Sequence, residues 1–246
     1  MEELVVLDIL LVNKDISSPV SFSTDSWNTI IKAVRKNNIS KYNIVDVKEV
    51  DLGTYGKHNV RIANTTTPTA CSTSGFSQTA CGFVLEFEDI IDSYSMNDVS
   101  DNGGGWPASA ALAFVYKIYN SFPTDLKSGV IDTYTVSGYG NSDTSNFTST
   151  EKIYLLAPGE IYKNWSDSND TARTLTRQLD YYNQKNVTTT SYSNAIKKRN
   201  TTAIEWWHRT ATNEDGNSFF ITYSSGSSGI EYAIEVLGIS PAFRIG

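Results

Sequence analysis

The sequence predicts an α+β fold: antiparallel sheets with two or three packed helices. Three observations predict it. The last forty residues hold four short β-prone runs separated by turn residues. Residues 45–87 carry three more such runs. Around them stand stretches whose apolar residues recur at helical spacing.

The chain opens on an apolar run at residues 4–12, too short to span a bilayer. Glu2 and Glu3 flank it with the wrong charge for a signal peptide. Residues 1–20 therefore read as an N-terminal strand or linker, and residues 21–246 as a single domain. A first helix follows, capped by Thr24 or Asp25, with Trp27, Ile30, Ile31 and Val34 on its core face. Residues 45–52 alternate apolar and charged side chains as a half-buried strand does. Gly53 to Gly56 make a turn, residues 58–63 return, and residues 82–87 form a third strand. His58 reads as a hairpin residue before a ligand.

Cys71 and Cys81 bracket a Gly/Ser/Thr-rich loop. A disulfide across it implies an oxidising compartment; two free thiols are the alternative. Asp89, Asp92, Asp98 and Asp101 make the next loop acidic. Oxygen-rich loops can hold calcium, but the spacing does not match an EF-hand. A solvated loop and no cofactor is the expectation, with calcium near Asp98 and Asp101 as the alternative.

A second helix starts at residues 103–109, with Pro107 in its first turn and Leu112, Val115, Tyr119 and Phe122 as its stripe. Residues 130–131 and 134–136 are strand-like, 138–149 a polar loop, and 152–156 a buried strand. Asp170 caps a third helix with Ala172, Leu175, Leu179 and Tyr182 on one side. Residues 184–202 form a long polar connection. The four terminal runs then predict an antiparallel meander, because a parallel crossover needs a dozen or more residues.

A net charge of −7 argues against nucleic acid and anionic membranes as partners. No stretch calls for membrane insertion. Phosphate-loop, dinucleotide, zinc-protease and serine-elbow motifs are missing. With only two histidines, a Ser–His–Asp site would have to use His58 or His208, and a Cys–His pair Cys81 with His208. Glu86, Glu88 and Asp89 could pair as carboxylates.

Binding has more support. With Trp207, Phe220 and Ile234 turned inward, Trp206, His208, Phe219, Ile221, Tyr223 and Tyr232 populate the other face and the turns. Tyr, Trp, Ser, Asn and Gly on strands and short loops suit adaptable binding surfaces. The alternative buries both faces between helices and the other meander.

The segment Trp206-Trp207-His208-Arg209-Thr210 resembles the Trp-Trp-Leu-Arg-Ser signature of a bacterial and phage domain family of unknown function, family 6273. Residues 240–245 resemble its closing signature, residues 105–109 its Trp-x-x-Ser helix, and residues 152–156 its Asp-Lys-x-x-Leu-Leu strand. The resemblance runs over about residues 26–246; His208 replaces the usual Leu and Thr210 the usual Ser, which alters the surroundings of the Trp pair. Its ending is similar in style to the C-type-lectin-like fold of phage adhesins and of variable proteins diversified by retroelements. That likeness implies a terminal sheet displaying a binding face at His208, Thr210, Thr212, Asn213, Phe219, Ile221, Tyr223, Ile230, Tyr232 and Ile234. The copper-binding cysteine pair of the sulfatase-modifying oxidases, which share the fold, is not reproduced at Cys71 and Cys81. The expected function is a non-enzymatic ligand-binding or adhesion module, extracellular or on a phage particle, with a protein or glycan target. A hydrolase or oxidase with a dispersed site, or a purely structural surface domain, is the alternative.

Overall fold

A computed structural model describes residues 18–246. The apolar run at 4–12, and with it the expected N-terminal strand, lies outside the described residues. The rest is α+β. Strands β1 (Val47–Asp51), β2 (Lys57–Asn64), β3 (Val84–Phe87) and β13 (Ala242–Arg244) form one sheet in the order β1-β2-β3-β13. Strands β4 (Asp92–Tyr94), β9 (Trp206–Ala211), β10 (Ser218–Thr222), β11 (Ser228–Tyr232) and β12 (Leu237–Ile239) form a second in the order β11-β10-β9-β12-β4. Two hairpins, β5 (Thr133–Ser137) with β6 (Phe147–Glu151) and β7 (Lys198–Arg199) with β8 (Thr202–Ala203), stand apart.

The first meander follows the predicted order, with Val50 opposite His58 and Ile62 opposite Leu85. The terminal one does not. Only β9, β10 and β11 run as consecutive antiparallel neighbours. Strand β12 lies on the other side of β9, parallel to it at Gly238 opposite Trp206 and antiparallel to β4. Gly238 permits this approach: a Cβ there would stand 2.7 Å from Ile90 Cδ1 and 2.8 Å from the Glu205 carbonyl. The chain then changes sheets at Ser240–Pro241. Proline has no N–H for a ladder, while the Pro241 carbonyl accepts from Phe87 N at 3.0 Å and leads the chain onto β3.

Helix α1 (Trp27–Arg35) buries Trp27, Ile30 and Ile31 as predicted. Its cap is Ser26, whose hydroxyl accepts from Thr29 N at 3.2 Å. Asp25 is drawn away instead by Val20 N at 2.9 Å and the Tyr42 hydroxyl at 2.7 Å. A short turn of helix, α2 (Gly105–Ala108), breaks at Ser109, which caps α3 (Ala110–Asn120). The buried face of α3 is Ala111, Phe114, Val115 and Ile118, turned from the predicted stripe so that Leu112 and Tyr119 are half-buried. Two more short turns follow, α4 (Thr124–Lys127) and α5 (Pro158–Ile161).

The third helix is corrected. Residues 170–179 form turns, and only α6 (Asp180–Gln184) is helical. Asp170 does accept from Ala172 N at 3.0 Å, but side-chain ties take the chain elsewhere. Arg177 reaches Asn64 Oδ1 at 2.9 Å, the Ala80 carbonyl at 2.8 Å and Asp180 Oδ1 at 2.8 Å, which holds residues 175–180 open. Residues 153–156 are buried but form no continuous strand: Tyr154 bridges Ala242 of β13, and the Leu156 carbonyl accepts from Arg209 N of β9 at 3.1 Å. The Cys71–Cys81 bond closes its loop around Phe76, with Cα atoms 6.0 Å apart.

Candidate functional site

The predicted binding face of the terminal sheet is interior. Trp206, His208, Thr210, Thr212, Phe219 and Ile221 are all buried, so as surface ligand contacts they are corrected. The physical reason is that β9 and β10 are covered on both sides. Trp207 donates from Nε1 to the Tyr94 carbonyl at 2.9 Å and meets Phe219 edge-on. Trp206 donates to the Ala195 carbonyl at 3.2 Å, and Phe220 packs against Trp165. Thr210 is pressed against Gly138, where a Cβ would stand 2.9 Å from its methyl group. The β9–β10 turn is tied down by Asn102, whose amide donates to the carbonyls of Thr212, Asp215 and Ser218 at 3.0–3.1 Å. Asn213 is half-buried there and donates from its backbone to the Asn169 carbonyl.

Titratable groups under this sheet are sealed into structural networks. Arg209 and Glu160 are paired twice, at 2.7 and 2.5 Å, with Thr79 and Thr176 donating to the same carboxylate. Glu86 sits between Arg61 and Lys197, each at 2.9 Å, and accepts from the Tyr182 hydroxyl at 2.9 Å. Burial opposes its charge, but the two cations hold it below the usual carboxylate range. Burial pulls the Lys197 ammonium down to about 8 against the opposing effect of Glu86. His208 Nδ1 faces the Leu156 carbonyl at 3.2 Å, which can only accept. That nitrogen therefore carries the proton, and Nε2 accepts from the Thr222 hydroxyl at 2.9 Å. Burial pushes this imidazole down to about 3, so it is neutral. Among the described residues His208 has no carboxylate partner, Cys81 is consumed in the disulfide, and His58 faces the Tyr55 carbonyl at 2.8 Å. Neither nucleophile–base pairing drawn from the sequence is assembled.

What remains accessible is the rim of the same sheet. Among the described residues strand β11 is its edge, paired with β10 alone. Ile230 is half-buried on it, and the Tyr223 ring lies across Gly229, where a Cβ would stand 2.2 Å from Cε2. The end of β11 and the turn after it expose Tyr232 by 52%, Ile234 by 47% and Val236 by 64%, while Ala233 between them is buried. The surface continues from Val236 into a cleft of about 360 Å³ lined by Ala203, Ile204, Glu205, Ser224, Val236 and Leu237. Glu231 and Glu235 flank the exposed apolar side chains in sequence. Sequence reasoning named Tyr223, Ile230, Tyr232 and Ile234 but missed Val236, Ile204 and Glu205. The signal was available in the alternation of Tyr232, Ile234 and Val236 with residues around a turn.

Among the described residues, no group of three or more His, Cys, Asp or Glu stands where it could hold a metal ion. Asp98 is exposed, and Asp101 uses its carboxylate to accept from Gly103 N at 2.8 Å. No described helix is long and apolar enough to cross a membrane.

The fold and its rim thus define a two-sheet α+β domain with buried ion-pair clusters and with three exposed apolar side chains, Tyr232, Ile234 and Val236, gathered beside one sheet edge. Residues 83–246 match the profile of the family described as a domain of unknown function (DUF6273), and the chain belongs to that family. The matched span starts at β3, later than the resemblance reaches, so α1, β1 and β2 precede it although β2 pairs with β3. No curated protein and no solved structure matches the chain.

Proposed function

We propose that this domain is a non-enzymatic binding module that docks a protein partner along β11 and the turn that follows it. The observation that carries the reading is the exposed set Tyr232, Ile234 and Val236 beside a sheet whose central strands β9 and β10 bury all their large apolar side chains. An edge strand keeps one row of N–H and C=O groups unpaired, which an extended partner segment can pair with. Tyr and aliphatic side chains beside it supply the apolar anchors that dominate binding energy. Glu205, Glu231 and Glu235, in a chain of net charge −7, favour a segment with basic residues.

Likeness of the motif series to C-type-lectin-like proteins extends the reading. In that setting the domain is an adhesion module on a bacterial surface or phage particle. Diversification, by a retroelement or otherwise, acts on the accessible positions Asn213, Tyr223, Ile230, Tyr232 and Ile234 rather than on the buried ones. The test is a pair of arrays, one of proteins and one of glycans. Each is probed with the intact domain and with the Tyr232→Ala/Ile234→Ala/Val236→Ala variant. Protein signals that vanish in the folded variant support the reading. Glycan-only signals, or protein signals that survive the substitutions, overturn it.

A further inference from the structure

We infer that the cleft at the end of the rim is a specificity pocket for one basic side chain of the docked segment, a lysine or an arginine, and that Glu205 selects it. The inference rests on the protein-docking reading above and names what that site recognises. Val236 belongs both to the exposed row and to the cleft wall, so the cleft opens directly off the rim. Ala203, Ile204, Val236 and Leu237 give it aliphatic walls, and Ser224 adds an exposed hydroxyl. Glu205 is its one ionisable lining residue. It is half-buried, and among the described residues its carboxylate meets neither a cation nor a hydrogen-bond donor. Lys198 and Arg199, on the hairpin that ends at Ala203, do not line the cleft, and Arg199 is paired with Asp92 at 2.6 Å.

The backbone that carries this carboxylate is pinned. The Glu205 carbonyl accepts from Gly238 N at 2.8 Å, and the next residue, Trp206, is fully buried with its indole N–H on the Ala195 carbonyl at 3.2 Å. Ser224 sits in a turn closed by Tyr223 N, which donates to the Ser227 carbonyl at 2.8 Å. Only side chains are left to order when a ligand arrives, which keeps the cost of binding low. Chemistry then selects the occupant. An acidic side chain is repelled by Glu205 and by the chain's net charge of −7. A purely apolar side chain matches the walls but strips water from the carboxylate and returns no partner, which is costly. A lysine or arginine satisfies both parts: its aliphatic stem lies along the walls while its charged head meets the carboxylate. The Ser224 hydroxyl, unpartnered among the described residues, is a further acceptor lining the same cleft.

The test pans a display library of fully randomised linear peptides against full-length wild type, Glu205→Gln, Glu205→Lys and the Tyr232→Ala/Ile234→Ala/Val236→Ala variant, each first checked for folding by its tryptophan fluorescence. Glu205→Gln, which keeps the side chain's size, carries the comparison alone should Glu205→Lys not fold. Wild type is expected to enrich peptides with a lysine or arginine at one fixed position. Glu205→Gln is expected to enrich peptides without that preference, and Glu205→Lys to replace it by aspartate or glutamate. Exchanging the basic residue of a selected peptide for norleucine is expected to weaken binding to wild type several-fold, the scale of a partly exposed ion pair, and to leave binding to Glu205→Gln unchanged. Peptides that depend on the rim but share no basic position, or a basic preference that persists in Glu205→Gln, overturn the pocket and leave the docking reading standing. No enrichment by wild type, or enrichment that the rim variant retains, overturns the docking reading and the pocket with it.

Discussion

Arg209 and Glu160 face each other as a two-pronged ion pair with neither side chain exposed: Nη1 meets Oε2 at 2.7 Å and Nη2 meets Oε1 at 2.5 Å. The pair joins strand β9 to the short helix α5. Glu160 also accepts from Ala157 N at 2.9 Å, which fixes the start of that helix. Arg209 donates in addition to the carbonyls of Val136 at 3.1 Å and Leu155 at 2.9 Å. One guanidinium thereby holds three segments against the centre of the terminal sheet.

Removing either partner leaves the other charge buried and alone. Arg209→Met or Glu160→Met is expected to destabilise the fold by about 3–5 kcal/mol. The double substitution Arg209→Met/Glu160→Met is expected to cost clearly less than the sum, because no unpaired charge remains. Urea denaturation followed by tryptophan fluorescence checks both, and additive losses would show that the pair acts as two independent groups.

His208 makes a second prediction, in pH. Its folded value of about 3 lies below the unfolded value near 6.5, so between those limits the unfolded chain binds a proton that the native state refuses. Stability from His208 is complete above about 6.5 and is lost as pH falls towards about 3, by up to ~1.4 kcal/mol per pH unit. Asp170 slopes the opposite way. Burial pushes it up to about 6 from 3.8, so it favours the native state at lower pH within that window. The difference between wild type and His208→Gln isolates the imidazole. The wild-type stability curve is expected to fall more steeply than that of the variant between pH 6.5 and 4 in urea titrations; parallel curves would contradict the neutral, buried assignment.

Central and rim positions of the terminal sheet are expected to behave in opposite ways. Trp207→Ala removes a fully buried ring and should cost about 3–5 kcal/mol. Tyr232→Ala and Val236→Ala, both at exposed positions, should stay within about 0.5 kcal/mol of wild type. Thermal and chemical denaturation of the single variants decides. A large loss at Tyr232 would mean that the rim is structural and would weaken its reading as a docking surface.

That contrast also shows what could be read from the residues. The alternation in residues 45–63 gave the first meander because β1 keeps one wet side: Val50 is buried while Asp51 is exposed. The α1 stripe was legible for the same reason. In β9 and β10 alternation disappears, since Trp206 and Trp207, and Phe219 and Phe220, are neighbours in sequence and all buried. Consecutive large apolar side chains signal a strand covered on both faces. Dividing them between a wet and a dry face was therefore the wrong choice. The parallel contact of β12 with β9 left no local trace, because it depends on Gly238 fitting between Ile90 and the Glu205 carbonyl. Nor could spacing reveal that Arg177 would pull residues 170–179 out of a helix, since its partners Asn64 and Ala80 lie roughly a hundred residues away.

The Cys71–Cys81 bond supports the last prediction. It closes a ten-residue separation, and inside the loop Phe76 packs with the two sulfurs while Ala80 joins the main core. Such a loop regains much of its freedom in an unfolded chain that lacks the crosslink, which by loop-closure entropy amounts to about 2–3 kcal/mol. For a domain of this size that corresponds to a fall of roughly 5–10 °C in the melting midpoint. Gln78, which donates to the Cys71 carbonyl at 2.9 Å, and Arg177, which holds the Ala80 carbonyl at 2.8 Å, keep both ends of the loop in place in the native state. The Cys71→Ser/Cys81→Ser variant should therefore fold, melt lower than the wild type by about that amount, and no longer respond to dithiothreitol. Wild-type protein equilibrated with dithiothreitol through a cycle of unfolding and refolding should melt near the variant. Should the oxidised and reduced proteins melt together, native contacts alone would be holding the loop.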